Sequence, residues 1–507
     1  MSALLVLAIT APLLGLVPLL LFGPRTGERA ALGMLAVNVA ITAGIAERVA
    51  QGGRALGYFV GGFAPPLGVG LRADGFSAAM MLMAALVLLF TGLFAMTGPG
   101  DMTRKVKARG SAGMPATFFI LLLSLACALN LAFLAQDLFT LYVALELLTF
   151  AAVPLVCLEG KAGQLSAALT YLLFALFGSV LYLLGVVLIY GLFGTLDIAH
   201  LAGLMARGAG GWTAAAALAL MSAGLMAKAA LFPLHLWLPP AHSGAPPAAS
   251  AVLSAVVIKA PLFLLVRLWS DLAPLPLTQV AGPVFALCGA AAIVFCGVVA
   301  LAQERLKLLI AYSTAAQIGY LCLMFPLAAS GDGPWSALAW TGGTLHLVSH
   351  ALSKAAMFLA AGLIAETMGH DRLSGLGGVG RLAPVSVAAF GLGGLSLMGL
   401  PPSGGFVAKV MLLTSALQQG SWWIATVVLL GGLLAGGYVL RVVVIALQHP
   451  DGDAALERGL PDARECRWRA LIALALAFGA MLVGFMPLAP LPFLDIGRPL
   501  TWTGVMP

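Results

Sequence analysis

Uninterrupted apolar runs of about 20 residues, long enough to cross the roughly 30 Å hydrocarbon core of a bilayer as a helix, recur along the whole 507-residue chain. Only 9% of the residues are charged and the mean hydropathy is +1.05, whereas a soluble domain carries about 25% charged residues. A globule of this composition would have too little polar surface to face water. The chain is therefore expected to fold in the lipid bilayer.

The runs predict helices rather than a transmembrane β-barrel, because stretches such as TFFILLLSLACALNLAFLA do not alternate apolar and polar residues. The N-terminal run lacks a basic segment and a cleavage site, so it is expected to be a retained span rather than a signal peptide. We predict an all-α polytopic membrane protein with about 14 transmembrane helices. The predicted spans are 3–23, 30–48, 76–98, 115–134, 137–157, 165–193, 212–231, 247–269, 279–300, 307–327, 337–366, 383–418 (broken), 421–446 and 468–489.

Basic residues segregate between alternate loops of this topology, about fifteen against six. Positive residues favour the cytoplasmic side, so both termini are expected to face outward. The net charge of +7 is then a topology signal, and no nucleic-acid partner is expected. The larger set is Arg25, Arg29, Arg104, Lys105, Lys107, Arg109, Lys161, Arg305, Lys307, Arg372, Arg381, Arg458, Arg464, Arg467 and Arg469. The smaller set is Arg48, Arg54, Arg72, Arg207, Arg267 and Arg498.

Two kinds of motif could indicate a cofactor or metal site. The six cysteines are scattered without ligand spacing, so disulfides, iron–sulfur clusters and zinc sites are not expected. Gly375, Gly377 and Gly380 have the spacing of a dinucleotide-binding loop, but predicted membrane helices flank them and no acidic residue follows at the required distance. We expect a cytoplasmic turn there, no ATP site and no cofactor.

Four lysines and one glutamate lie inside predicted spans, where a charge costs about 2.5–3.5 kcal/mol. They are Lys228, Lys259, Lys354, Lys409 and Glu146. Burial disfavours a charged ammonium and a neighbouring carboxylate favours it, so a Lys–Glu pair that forms and separates would alternately hold and release a proton. These residues predict a proton path. The alternative is a set of buried ion pairs that only hold helices together.

Two of these lysines stand beside predicted helix breaks: Lys228 precedes LFPLHLWLPP and Lys409 follows GLPPSGGF. Discontinuous helices at corresponding positions of two halves are typical of inverted-repeat transporters. We predict a single membrane domain, 1–507, with two inverted five-helix repeats, each containing one broken helix. Its parts are N-terminal helices in 1–114, the repeats 115–269 and 279–446, and a last helix at 468–489.

Histidines extend the predicted path. His346, His350 and Lys354 follow one another at intervals of four residues and so share a helix face. A neutral histidine in a hydrated path suits proton relay; packing histidines bonded to backbone are the alternative. The pair lacks a third metal ligand at suitable spacing, so no metal is expected. His235 and His242 flank the break after Lys228 and are candidates to admit protons, with packing in a proline-rich turn as the alternative.

Four segments together resemble the proton-translocating antiporter-like family, in the family's order, within about residues 70–445. That family comprises the D subunits of Mrp-type multisubunit cation/proton antiporters, the antiporter-like membrane subunits of respiratory complex I, and counterparts in membrane-bound hydrogenases. The segments are KAALFPLHLWLPPAHSGAPPAASAVLSAVVIKAPLFLLVRL, ERLKLLIAYSTAAQIGYL, HLVSHALSKAAMFLAAG and LSLMGLPPSGGFVAKVMLL.

The resemblance implies roles for the candidate residues. Glu146 and Lys228 would be the ion pair of the fifth and seventh helices, and Lys259 the central lysine of the eighth. Lys409 would be the lysine of the broken twelfth helix. His346 and His350 would lie on a central hydrophilic axis. Protons would enter near Lys228 and pass along this axis to Lys409.

The resemblance implies a transporter subunit of a larger complex in a bacterial inner (plasma) membrane, with other integral membrane subunits as partners. The early segment GGFAPPLGVGLRADGFSA is most similar to the Mrp D subunits and hydrogenase-type members. This favours an Mrp-type cation/proton antiporter, with Na⁺ or K⁺ as the exchanged ion. The alternative is a proton-pumping subunit of a redox-driven complex, either NADH:quinone oxidoreductase or a membrane-bound hydrogenase. A scaffold that conducts nothing is a third reading, against which four costly intramembrane lysines argue.

Overall fold

The computed structural model describes residues 3–97, 114–329, 333–448 and 466–498. Within these residues twelve helices are long and apolar enough to cross a membrane, and two further segments are interrupted helices. The predicted all-α polytopic class is confirmed. The membrane helices are α1 Ala3–Leu21, α2 Thr26–Gly52, α3 Gly75–Met96, α4 Ala116–Leu134, α5 Leu138–Val156, α6 Ala162–Phe193, α7 Gly211–Lys228, α8 Pro247–Leu272, α9 Leu275–Ala302, α10 Leu306–Ala328, α11 Pro334–Met368, α12 Pro384–Met398 with Gly404–Gln418, α13 Trp422–Leu447 and α14 Arg467–Phe485.

Both predicted helix breaks are present. The seventh segment stops at Lys228 and resumes as a short helix, Leu238–Gly244, after a non-helical stretch that contains Pro233. The twelfth is interrupted between its two halves, and Ser403 caps the second half by accepting a hydrogen bond from the Phe406 N–H. Proline lacks an N–H and its ring crowds the preceding turn, which favours a break at each of the two proline-rich motifs. The exact boundaries of the two repeats stay a prediction.

One element was not predicted: an antiparallel hairpin between α2 and α3. Strand β1, Leu56–Phe59, pairs with strand β2, Gly70–Ala73, with Leu56 opposite Ala73. Two four-residue strands among glycines and prolines leave little periodicity to detect. Immediately after β2, Asp74 begins α3 by accepting a hydrogen bond from the Ser77 N–H at 2.9 Å. We call this end of the bundle the hairpin end.

Because the spans alternate in direction, the connections fall at two ends of the bundle. A bridge between Asp137 and Asp197 lies at the hairpin end, and one between Arg305 and Arg372 lies at the opposite end. The last described residues return to the hairpin end, where the Gly75 N–H donates to the Ile496 carbonyl. The first and last described residues therefore lie at the same end, as an even number of spans requires.

Three helices form the buried centre. In the most apolar 18-residue stretch of each helix, all residues of α8, 94% of those of α11 and 89% of those of α10 are buried, against 33% for α1 and α13. The outer helices carry the large apolar side chains that face outward, such as Leu433 and Leu173. Polar side chains on the three central helices must find partners inside the protein, since no lipid headgroup or bulk water reaches them.

Helices α6 and α7 approach closely at facing glycines. A Cβ atom on Gly178 would lie 2.6 Å from the Gly224 carbonyl oxygen and 3.1 Å from Cγ of Lys228, and one on Gly224 would collide with the Gly178 carbonyl oxygen. Small residues allow membrane helices to pack backbone against backbone. This contact positions the Lys228 side chain between the two helices.

Gly178→Ala is expected to lower stability by about 1–3 kcal/mol, because the new methyl group meets backbone atoms that cannot rotate away. Gly191→Ala in the same helix is the matched control, since a Cβ atom there meets nothing within 4 Å. Thermal unfolding of both variants in detergent measures the difference. Equal melting temperatures for the two variants would show that the close approach is not needed.

Candidate functional site

Lys228 and Glu146 form an ion pair between α7 and α5. The Lys228 Nζ atom lies 3.1 Å from Glu146 Oε1 and donates a second hydrogen bond to Thr149 Oγ1 at 3.0 Å. The Ser179 hydroxyl on α6 also bonds to Glu146 Oε1. Lys228 is only 6% exposed. Three helices thus hold one carboxylate and one ammonium at mid-depth, and the structure brings together the two residues predicted to pair.

Lys259 contacts His350 directly. Its Nζ atom lies 2.6 Å from His350 Nδ1 and donates to the Ser254 carbonyl at 3.0 Å. That carbonyl belongs to a π-helical turn, Leu253–Val257, where the regular i→i−4 bonding pattern is interrupted. A ring nitrogen accepts a hydrogen bond only when it carries no hydrogen. Either group can hold the hydrogen, but not both, so this contact shares one proton between two bases.

A row of rings continues from His350 towards Lys409. The centroids of His350 and His346 lie 6.0 Å apart, and the Tyr320 centroid lies 5.1 Å from that of His346. The Lys409 Nζ atom lies 4.3 Å from the Tyr320 centroid and donates to the Leu397 carbonyl at 2.5 Å, just before the break in α12. The described hydrogen bonds of His346 and Tyr320 go to the backbone carbonyls of Gln317 and Val428 rather than to each other. Proton transfer along the row would therefore need bridging water.

Lys354 forms a branch of this row. It is fully buried, and its Nζ atom donates to the Ile310 carbonyl at 3.1 Å and to Ser313 Oγ at 2.5 Å, both on α10. Among the described residues, Lys228 is the only one of the four intramembrane lysines with a carboxylate within salt-bridge distance. Lys259, Lys354 and Lys409 instead donate to backbone carbonyls. Static ion pairing therefore does not account for these three lysines.

The two histidines beside the first break lie apart from the row. His235 packs among aromatic rings, with centroid distances of 5.4 Å to Phe232, 5.9 Å to Phe295 and 6.5 Å to Tyr312. His242 is fully buried and stacks on Phe358 at 4.7 Å. The described contacts of both rings are those of packing, the alternative raised above, and the structure does not bring His235 into contact with the lysines.

Uncharged polar residues that complete the site were missed from the sequence. Tyr320, Ser313, Thr149 and Ser179 each lie inside an apolar run, where a single hydroxyl carries no distinctive pattern. A search for hydroxyls one turn from the intramembrane charges would have found Thr149, three residues after Glu146.

A backbone carbonyl determines which ring nitrogen of His346 carries the hydrogen. His346 Nε2 lies 3.1 Å from the Gln317 carbonyl oxygen on α10. Since a carbonyl only accepts, Nε2 carries the hydrogen there and donates it. In a neutral imidazole the other ring nitrogen, Nδ1, is then free of hydrogen and able to accept a proton.

Arg267 was assigned to the outward side, at the end of the predicted span 247–269, and it lies at the hairpin end of α8. It ends the helical stretch Lys259–Arg267 of α8 and is 8% exposed, with Nη2 2.5 Å from Asp74 Oδ1 and Nη1 3.2 Å from Asp271 Oδ2. Burial alone would raise the pKa of the Asp74 carboxyl, but the charge and hydrogen bond of Arg267, together with Arg72, hold that pKa below its ordinary value. The two carboxylates supply the charge and the hydrogen bonds that allow a guanidinium group to be buried at this end of α8.

The described residues contain no group of three or more His, Cys, Asp or Glu side chains that could hold a metal ion. The glycine-rich segment forms a short 3₁₀ turn, Leu373–Gly375, and a four-residue helix, Val379–Leu382, between α11 and α12. It lacks the strand and long helix of a dinucleotide fold within the described residues.

The bundle and its buried row define a class: polytopic helical membrane subunits with ionisable side chains at mid-depth on discontinuous and central helices. The family model described as NADH:quinone oxidoreductase/Mrp antiporter, TM, matches residues 135–435. This range contains the Lys228–Glu146 pair and every residue of the row. The chain belongs to this family, and the predicted resemblance is confirmed.

Similar proteins include members of two kinds of complex. The N subunit of the NADH-quinone oxidoreductase of Desulforudis audaxviator is 34% identical over 437 residues, covering 84% of this chain and 82% of the relative. The D subunit of the Na(+)/H(+) antiporter of Bacillus subtilis is 29% identical over 389 residues, covering 76% and 75%. A chain of the Mrp complex from Dietzia sp. DQ12-45-1b matches with a TM-score of 0.83 and 25% identity, covering 95% and 94%.

Proposed function

We propose that this chain is the proton-translocating subunit of a multisubunit cation/proton antiporter of Mrp type. The observation that carries the proposal is the contact between Lys259 and His350, in which two buried bases share one proton on the two most buried helices. Intramembrane ionisable groups mark ion pathways by default. Lys228 and Lys409 extend the row to the two helix breaks.

The first transfer is controlled by the Lys228–Glu146 pair. While paired, the carboxylate stabilises the ammonium, and Thr149 holds the same Nζ atom in place. When the pair separates, buried Lys228 loses its counter-charge and releases a proton towards the central row. Moving one charge across 100 mV is worth about 2.3 kcal/mol, comparable with a one- to two-decade change in proton affinity. Modest changes in pairing are therefore enough to couple proton flow to a partner chain.

The central row then carries the proton between the two breaks. His350 exchanges a proton with Lys259 through Nδ1, and His346 keeps a hydrogen on Nε2 through the Gln317 carbonyl. Lys409 receives the proton across Tyr320, through bridging water. Lys354 adds a further positive charge or base beside the row, on the same face of α11.

Two kinds of complex are candidates for the assembly that contains this chain. The antiporter relative from Bacillus subtilis and the structural match to an Mrp complex favour a cation/proton antiporter. The oxidoreductase relative, at 34% identity, favours a proton-pumping subunit of an NADH:quinone oxidoreductase. Both candidates need the same proton row and other integral membrane subunits as partners, and they differ in the energy source.

We further propose a bacterial inner membrane location with the hairpin end, and hence both termini, on the outside. Nine of the fifteen residues in the larger basic set are described and lie at the opposite end, which the positive-inside rule places in the cytoplasm. The remaining six of that set lie outside the described residues: Arg104, Lys105, Lys107, Arg109, Arg458 and Arg464.

Lys228→Ala and Glu146→Gln are each expected to abolish proton-coupled cation transport while the chain still inserts and assembles. Lys161→Ala is the matched control, because it removes the lysine of an exposed Lys–Glu pair, with Glu159 at 2.5 Å, where an ion pair is worth little. Sodium-dependent proton movement in everted membrane vesicles measures the effect. Wild-type transport in either of the first two variants would contradict the proposed path.

Purification of the tagged chain from its native membrane, in mild detergent, is expected to bring down further integral membrane subunits without redox proteins. Mass spectrometry of the co-purified chains measures this directly. Flavin, iron–sulfur or nickel proteins among them would overturn the antiporter assignment and establish the redox-driven alternative, with the same lysines in the path.

Leu67→Cys at the hairpin end is expected to react with a membrane-impermeant maleimide in intact cells, because Leu67 is 92% exposed. Glu304→Cys, exposed at the opposite end, is expected to react only after the membrane is permeabilised. The chain without an introduced cysteine provides the background. The reverse pattern of labelling would refute the proposed orientation.

A further inference from the structure

A small, partly open cavity lies at the hairpin end beside α8. Its polar lining is Arg72, Ser77, Gln136, Arg267 and Asp271. Arg72 and Asp271 keep 32% and 11% of their side-chain surface exposed, so solvent reaches the rim. The nature of the lining, with charged and amide groups around a concave space, suits water and protons rather than an apolar ligand.

The floor of this cavity is aromatic. Phe133 and Phe263 line it and are 1% and 2% exposed. The Phe263 ring lies 5.0 Å from Phe133 and 4.8 Å from Phe76, measured between centroids. These three rings form a continuous apolar layer, which we call the aromatic layer. The Arg267 guanidinium lies 5.0 Å from the Phe263 centroid and 5.5 Å from that of Phe76.

Phe263 lies between Lys259 and Arg267 along α8. Lys259, Phe263 and Arg267 follow one another at intervals of four residues, on one face of the helical stretch Lys259–Arg267. At about 1.5 Å per residue, Lys259 and Arg267 are separated by about 12 Å along the helix axis. Along α8, one phenylalanine therefore lies between the residue that carries the central base and the arginine that lines the cavity.

We propose that the aromatic layer is the gate of a proton route from Lys259 to the hairpin end, and that Asp271 is the proton acceptor in the cavity. This inference rests on the proposed function, since it takes Lys259 to carry a proton. With the layer closed, the apolar constriction excludes water and blocks transfer. When the Phe263 ring moves aside, water connects the two groups. An N–H bond of the Lys259 ammonium breaks, an O–H bond forms on the Asp271 carboxylate, and Lys259 is left neutral.

Arg267 is a positioning residue in this scheme. It cannot release a proton, so the carboxylates are the proton-accepting groups of the cavity. Its position between Asp74 and Asp271, with one guanidinium nitrogen on each carboxylate, holds it over the ring face, where a cation–π contact favours the closed layer. Protonation of Asp271 weakens its hold on Arg267, which links acceptance of a proton to the next movement of the ring.

The test is the passive proton leak of membrane vesicles that hold the complete complex, measured with a pH-sensitive dye after an imposed pH step, without added sodium. Phe263→Ala is expected to raise the leak on the order of tenfold, because the constriction then admits water. Phe263→Leu, which keeps apolar bulk, is expected to leak close to wild type. Phe118→Ala is the matched control, because Phe118 is a buried phenylalanine, 1% exposed, in a ring pair with Phe119.

Phe133→Ala removes a second ring of the same layer, and its leak keeps the test available if Phe263→Ala fails to assemble. A wild-type leak in the assembled alanine variants, or an equal leak in Phe118→Ala, would overturn the gate. Adding Lys259→Met to Phe263→Ala is expected to abolish the extra leak, and an undiminished leak would overturn the role of Lys259 as donor. Loss of transport in Lys228→Ala with no leak in the ring variants would reject the gate while leaving the proposed function intact.

Discussion

The central constraint on this molecule is that lysine side chains lie where neither lipid nor bulk water can solvate them. Lys259 and Lys354 are fully buried on α8 and α11, which are themselves almost entirely enclosed by other helices. An uncompensated ammonium in such a place is costly. Lys259 meets the requirement with a carbonyl of a π-helical turn and a neighbouring histidine. Lys354 instead donates to a carbonyl and a hydroxyl of the regular helix α10.

Irregular backbone accompanies Lys259, in the middle of the row, and Lys409, at the second helix break. Lys259 donates to a carbonyl in a π-helical turn, and Lys409 donates to the last turn before the break in α12. Carbonyls at a helix end or a π turn lack their regular partner, so they can accept from a side chain without breaking an intact ladder. Lys228 differs, since a carboxylate and a hydroxyl hold it at the end of α7. It is therefore the lysine whose counter-charge a helix movement can remove.

The row is connected along its middle and separated from solvent at the hairpin end. A contact of 2.6 Å joins Lys259 to His350, whereas the steps to His346 and Lys409 pass over rings at about 4–6 Å. Towards the hairpin end, α8 carries the proposed aromatic layer and then a charged cavity. Under the proposed function, one short contact at the centre and an apolar seal at the edge would let the row hold a proton without leaking it, as transport against a membrane potential requires.

The membrane helices, their breaks and the intramembrane charges could be predicted from the sequence, whereas the contacts between residues depend on the tertiary structure. Membrane helices are recognised from composition alone because the bilayer demands about 20 apolar residues for each crossing. The same rule makes the intramembrane lysines and Glu146 conspicuous, and proline-rich motifs locate both breaks because proline cannot donate a backbone hydrogen bond to the helix.

The hairpin, by contrast, was not predicted, because its two strands are short. The Lys259–His350 contact joins residues 91 positions apart, and the Arg267–Asp74 pair joins residues 193 positions apart. An apolar run contains no record of which face meets another helix, so neither the surroundings of His235 nor the burial of Arg267 could be foreseen. The sequence by itself determined the spans, the breaks and the candidate charges; packing in three dimensions decided the pairs, because a buried charge is satisfied only by atoms that the fold brings within hydrogen-bond distance.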